Sequence, residues 1–356
     1  MKAKIPRTVL KCMVDMRAML LERLGPIETN PLRPIKMPRH EIKNKNEVLV
    51  KIQACGVCRS QLHGIEGDWK KYGIPPALPT IPGHEIVGEV VQIGSGVSKF
   101  KAGRRVGISP LRDSCMNCQY CKMGNEHLCD AADITGESLF VGYAEYITVP
   151  EDFATPVPDS MKSEYAAPLF CAGITAYKAV IASEPAKGKK IGIFGVGGVG
   201  HLAVEFAKMH GCRVTGFARS KNHLDVAKQV GADNVIAYTD DQKEFLSSLR
   251  KDEGLLDSAI VFAPSSSVVD AAINSVRKGG IIVLGVLAAI PNFDVFTEKT
   301  IRGTLIGSRK DMADVVRLAD QNDIKIIHKS FPLEQANQVL ADLKHSKIGA
   351  RAVLIP

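Results

Sequence analysis

The chain is 356 residues long, room for roughly two domains of about 100–200 residues each. Apolar residues make up 45% and charged residues 24%, which excludes a disordered or fibrous chain and fits a globular protein with true cores. The net charge of +8 arises from scattered Lys and Arg without a long basic run or interleaved aromatics, so it reads as a solvated surface and no nucleic-acid partner is expected.

The first residues, M-K-A-K-I-P-R-T-V-L-K-C-M-V-D-M, carry positive charge but no apolar core segment or small-residue cleavage site, and do not read as a secretion signal. Residues 17–56 hold short β-rich runs such as Val48–Ile52, broken by Pro31, Pro34 and Pro38. Strand-like segments continue through Glu85–Ile93 and Tyr143–Val149, with glycines at Gly88, Gly94, Gly96, Gly103 and Gly107. This is the texture of an irregular all-β unit. After about residue 172 strands and helices alternate. The pattern predicts strand Ile191–Phe194, helix Val199–His210, strand Arg213–Phe217, helix Asn222–Val230, strand Asn234–Ala237 and helix Gln242–Lys251. Strand Ser258–Phe262, helix Ser267–Arg277 and strand Gly280–Leu284 follow, together implying a parallel, doubly wound sheet with helices on both faces. From Gly307 the tail predicts helices Met312–Asn322 and Leu333–His345 and a final strand, Ala350–Ile355. No apolar stretch reaches the roughly 18 residues of a membrane-spanning helix, so no membrane partner is expected.

The nine cysteines, odd in number and unevenly spaced, favour reduced thiols or metal ligands over a disulfide framework, and a cytoplasmic location is the expectation. Four of them, Cys115, Cys118, Cys121 and Cys129, form a C-x2-C-x2-C-x7-C array in a lobe with few large apolar residues. Four thiolates in one short loop can close a tetrahedron around a structural zinc, whose binding then supplies folding energy that packing does not. Cys58, His84 and Cys171 are dispersed. Two thiolates and an imidazole would leave the fourth position a catalytic zinc needs, but spacing alone does not single them out.

The turn G-V-G-G-V-G, Gly195–Gly200, lies between an apolar strand and a helix. Glycines at Gly195, Gly197, Gly198 and Gly200 permit a tight turn and let backbone amides approach a dinucleotide pyrophosphate. NAD-preferring versions carry Asp or Glu about 20 residues on. Here the stretch reads G-F-A-R-S-K, with Ala218 in place of the acid. Arg219, Ser220 and Lys221 could bind a 2′-phosphate by charge and hydrogen bonds, so NADP(H) is favoured, with a permissive site that also takes NAD(H) as the alternative.

The run G-H-E-I-V-G-E-V-V-Q-I-G-S-G-V, the four-cysteine lobe, the segment A-A-P-L-F-C-A-G-I-T and the glycine turn stand in an order that resembles the zinc-dependent alcohol dehydrogenases of the medium-chain dehydrogenase/reductase family, from about Met16 to the C-terminus. The resemblance implies that Cys58, His84 and Cys171 hold a catalytic zinc, with Glu85 an occasional fourth ligand, for two zinc ions per chain. It makes Cys55 a non-ligand and gives no role to Cys12 or Cys212. Ser60 matches the hydroxyl relay beside the metal, His63 the residue passing the proton to solvent, and Trp69 a substrate-pocket aromatic. Arg59 and Arg351 are expected near the pyrophosphate and Thr175 near the nicotinamide. Gln61 departs from the family: many relatives place a carboxylate there to orient the zinc-ligating histidine, and an amide brings no charge.

The expected architecture is thus α/β: a GroES-like β-rich catalytic domain, 16–172 completed by 307–356, plus a doubly wound Rossmann cofactor-binding domain, 173–306. Residues 1–15 read as an N-terminal extension or a start placed too far upstream. The expected reaction moves a hydride between NAD(P)(H) and a small alcohol or aldehyde. A polyol or aryl-aldehyde dehydrogenase, or a non-catalytic relative, is the alternative. Family membership further implies a homodimer or homotetramer.

Overall fold

Strands and helices alternating from Lys190 to Gly303 wind into a six-stranded, wholly parallel sheet in the computed structural model, which describes residues 14–72, 77–134, 141–239, 241–290 and 293–356. The strands lie in the order Asn234–Ala237, Arg213–Ala218, Lys190–Phe194, Leu256–Val261, Val276–Leu284 and Thr300–Gly303. The order reverses beside Lys190–Phe194, the strand that feeds the glycine turn. Open α/β sheets hold ligands in the crevice at such a point. Its strands read as nearly continuous apolar runs because both faces are covered. On one side Phe194 stacks on Phe217 at 4.2 Å, with Phe245 edge-on to both.

The second large sheet joins the two ends of the sequence. Arg351–Ile355 pairs antiparallel with Glu47–Gly56, which also pairs with Glu85–Ile93 and Tyr146–Pro150. The tail strand His328–Pro332 lies outside Arg351–Ile355, and Arg105–Ile108 and Ala154–Pro156 complete the far edge. The tail is therefore built into the β-rich unit.

Most expected elements fall within a few residues of the observed ones, and Glu85–Ile93 and Asn234–Ala237 coincide with them. Pro34 and Pro38 do not break a strand, however. Both lie in Leu32–Pro38, which pairs with Asp15–Leu21 in a separate two-stranded sheet where a free edge tolerates a missing N–H. The strand expected from Tyr143 begins at Tyr146, and Tyr143 is a fully buried loop residue. Helices Arg59–Glu66 and Ala172–Ala182 and strand Thr300–Gly303 were not expected. The apolar run through Ala172–Ala182 gives little helical periodicity because most of the helix is buried. No single helix among the described residues is long and apolar enough to cross a membrane. Residues 1–13, including Cys12 and most of the expected extension, lie outside the described residues, and Asp15 already begins the first strand.

Candidate active site

Register brings the dispersed ligands together. In the antiparallel pair Glu47–Gly56 with Glu85–Ile93, Gly56 lies opposite Glu85. Cys58, just past one strand, and His84, just before the other, therefore share one end of the sheet. Cys171 arrives from the turn that starts helix Ala172–Ala182. That turn's Phe170 ring packs so closely on Gly107 that a side chain there would overlap it. The candidate ligand atoms of Cys58, His84, Glu85 and Cys171 all lie within 4.8 Å of one another.

The Cys58 and Cys171 sulfurs are 3.9 Å apart, close to the edge of about 3.8 Å in a tetrahedron with zinc–sulfur bonds near 2.3 Å. Ser60 Oγ donates to Cys58 Sγ at 3.1 Å and lies 3.4 Å from His84 Nε2. The donor set thus fits zinc, with a hydroxyl at its margin. The neighbouring thiol of Cys171 draws Cys58 well below the ordinary thiol range, and the same contact pushes Cys171 up. Cys55 lies outside the cluster, and burial pushes its thiol up, as suits a non-ligand.

Cys115, Cys118, Cys121 and Cys129 form a second cluster, its sulfurs all within 4.8 Å of one another and the pairs Cys115–Cys121, Cys118–Cys121 and Cys115–Cys129 at 3.5–3.9 Å. Backbone amides at Asn117 and Cys118 draw the Cys115 thiol down to about 6, favouring the thiolate that zinc takes. The lobe's Met116, Met123 and Leu128 are all exposed. It therefore lacks an apolar core of its own, consistent with folding around metal.

Glu85 is fully buried and paired with Arg351, itself 5% exposed. Burial raises the Glu85 carboxyl to about 7 against the pull of Arg351. Gly56 leaves the room: a Cβ there would overlap the Glu85 carboxylate. On its other side Arg351 packs against Gly198 of the glycine turn. The residue expected near the pyrophosphate thus stands between that turn and the ligand cluster, a pairing the sequence did not reveal.

The turn has the geometry its glycines imply. Gly195 has φ +97°, and a Cβ at Gly200 would overlap the Gly195 carbonyl oxygen. Helix Gly200–Met209 starts there. At the end of the next strand Ala218 is buried, while Arg219, Ser220 and Lys221 are exposed. Ser220 caps helix Lys221–Gln229, accepting from the His223 amide. Lys221 Nζ pairs with Asp225 at 2.7 Å, and the Arg219 guanidinium lies over the Tyr238 ring. Thr175 sits one helical turn after Cys171, its N–H bonded to the Cys171 carbonyl. Arg59, at the start of its helix, donates to the Leu343 carbonyl at 3.0 Å.

Ser60 and His63 share helix Arg59–Glu66, but no hydrogen bond joins them among the described residues. His63 Nδ1 instead meets Asp68 Oδ2 at 2.7 Å, an orienting partner the sequence did not reveal although it directly precedes Trp69. Trp69 packs edge-on to His63 at 5.3 Å and donates from Nε1 to the Ser60 carbonyl. Gln61 is buried between His84 and the Gly83 amide.

A parallel sheet with a glycine turn, joined to a β-rich unit bearing two zinc-type clusters, defines a zinc-binding nicotinamide dehydrogenase. The family model for the alcohol dehydrogenase GroES-like domain matches residues 44–159, and that for zinc-binding dehydrogenases matches 198–321. An alcohol dehydrogenase of Geobacillus stearothermophilus is 39% identical over 314 residues, 86% of this chain and 91% of that one. The alcohol dehydrogenase of the hyperthermophilic archaeon Aeropyrum pernix superposes with TM-score 0.87 at 27% identity, covering 96% of this chain and 100% of that one. CAD from Helicobacter pylori, complexed with NADP(H), superposes with TM-score 0.83 at 26% identity, covering 96% and 98%. The chain belongs to the zinc-dependent alcohol dehydrogenases of the medium-chain dehydrogenase/reductase family, oxidoreductases that act on alcohols with zinc and a nicotinamide cofactor.

Proposed function

We propose that the protein interconverts small alcohols and aldehydes with NADP(H) as the favoured cofactor and two zinc ions per chain. The observation that carries this reading is the convergence of Cys58, His84 and Cys171 beside Ser60 Oγ, next to an arginine that reaches the glycine turn. Zinc held by these three residues would supply Lewis acidity, making loss of the alcohol proton feasible near neutral pH. Ser60, 3.1 Å from the Cys58 sulfur, would take that proton. His63, half-exposed and held by Asp68, would release it to solvent through an intervening hydroxyl or water. Glu85 is held in reserve by Arg351 and could exchange that partner for the metal. Trp69, packed against the relay helix, would form one wall of the substrate pocket.

The glycine turn would bind the pyrophosphate with Arg351 and Arg59, and Thr175 would face the nicotinamide. Absence of a carboxylate at Ala218, with Arg219, Ser220 and Lys221 exposed beside it, supports a 2′-phosphate site. The Cys115–Cys129 cluster would hold the structural zinc. Catalytic domain 16–172 with 307–356 and cofactor domain 173–306 are the division that the two sheets support. Exposed Leu287, Ile290, Val295, Phe296 and Leu305 support self-association as a homodimer or homotetramer, and a thiol-rich chain suits the cytoplasm.

Purified protein assayed with NADPH and NADH against small aliphatic and aromatic aldehydes tests the reading. Chelator-sensitive oxidation of NADPH, much slower with NADH, is expected. NADH preference would overturn the phosphate site alone. No turnover of any alcohol or aldehyde by zinc-loaded protein would overturn the reaction.

A further inference from the structure

Gln61 is 4% exposed and its carboxamide is fixed at both ends. Its Nε2 lies 2.7 Å from His84 Nδ1, and its Oε1 accepts the Gly83 N–H at 2.8 Å. The other ring nitrogen, His84 Nε2, faces the cluster, 3.4 Å from Ser60 Oγ. With Gln61 donating to Nδ1, a neutral His84 carries its proton on Nε2, pointing into the ligand cluster.

A metal bound through Nε2 requires the opposite tautomer, with the proton on Nδ1. Gln61 then faces two donors, Nδ1–H and the Gly83 N–H, with one acceptor oxygen. Turning the amide over does not help: it satisfies His84 and sets the NH2 group against Gly83. One contact is donor against donor in either orientation, in a buried place where a lost hydrogen bond is not replaced by water. A carboxylate of the same length would accept from both.

We propose that Gln61 is a positioning residue that loosens the hold of His84 on the metal, making the Cys58–His84–Cys171 centre exchange metal readily while the four-thiolate lobe retains its own. The inference rests on the reading of this cluster as a zinc site. Its signature is a gain on substitution: Gln61→Glu restores an acceptor to each donor and tightens the centre.

The experiment follows zinc release from the loaded protein to a competing chelator, with the Cys115–Cys129 site as an internal reference, and repeats it with cobalt exchanged into the Cys58–Cys171 centre while the four-thiolate lobe keeps its zinc, so that thiolate charge-transfer absorption reports this centre alone. Gln61→Glu, and Gln61→Asp as a second carboxylate, are expected to slow release from this centre at least about tenfold, the lower end of the effect of outer partners on metal sites. Gln61→Leu, which removes both hydrogen bonds, is expected to release faster than wild type. If all three variants release faster, or the carboxylates match wild type, Gln61 acts through packing alone and the proposal is overturned. Wild type binding one zinc per chain, with no cobalt–thiolate band, would instead overturn the zinc reading beneath it.

Discussion

Acidification should strike the glycine turn through His201. This residue follows Gly200 on helix Gly200–Met209 and is 0% exposed. Its Nδ1 meets the Gly197 carbonyl at 2.9 Å, while Nε2 is buried without a partner among the described residues. The carbonyl can only accept, so Nδ1 carries the proton and Nε2 is bare. Protonating Nε2 would bury a cation with nothing to receive its hydrogen. Burial accordingly lowers the imidazole from 6.5 to about 4; the Gly197 bond opposes the shift and nearby Arg351 adds to it. The unfolded chain takes up this proton as pH falls through 6.5, and the folded chain refuses it until about 4. Stability from neutral His201 is thus complete above 6.5 and is lost progressively down to about 4. The loss is about 3 kcal/mol in all, and about 2 kcal/mol by roughly pH 5. Urea unfolding of wild type and His201→Leu across this range isolates it, because the other acid-sensitive groups are common to both. Wild type should lose about 2 kcal/mol relative to the variant between about pH 7.5 and pH 5. Parallel stability profiles would refute the argument.

Three further outcomes follow from the site. Arg351→Leu leaves the fully buried Glu85 carboxyl without its partner, to be either a lone buried charge or a protonated acid, and should cost about 3–5 kcal/mol in urea unfolding at neutral pH, with Glu85→Gln added to the same chain recovering part of it. Cys118→Ser should remove one zinc per chain by elemental analysis, and lower stability through the lobe while leaving the Cys58–Cys171 cobalt band in place. Ala218→Asp puts a carboxylate beside Arg219 and Ser220 where a 2′-phosphate would lie. It should raise the KM for NADPH at least about tenfold and leave that for NADH little changed or improved, by steady-state kinetics.

What the sequence made legible was local. Cys115 to Cys129 is one loop, so spacing alone identified a four-thiolate set, and the structure brings the same four sulfurs together. The glycine turn was legible because strand and helix signals flank it directly. Cys58 and Cys171, 113 residues apart, carry no mutual signal. They were named through family resemblance, and it is the pairing of Gly56 with Glu85 that puts Cys58 beside His84. Pro34 reads as a strand breaker in the sequence, yet it lies in an edge strand, where the missing N–H costs no ladder bond.

The hardest part to foresee was polar and long-range. Glu85 and Arg351 are 266 residues apart, and neither side chain signals an ion pair by periodicity or spacing. Their meeting depends on the tail strand Arg351–Ile355 pairing with Glu47–Gly56, a non-local contact decided by two apolar strand faces rather than by the charges. Once that pairing forms, Arg351 at the strand's first position is carried to the buried end where Glu85, opposite Gly56, is already fixed. The charge pair is thus a consequence of sheet register. A shift by one residue would turn the Arg351 side chain to the other face, leaving both Glu85 and the space against Gly198 unfilled. Packing of Val353 and Leu354, both fully buried, is therefore what places the arginine between the glycine turn and the ligand cluster.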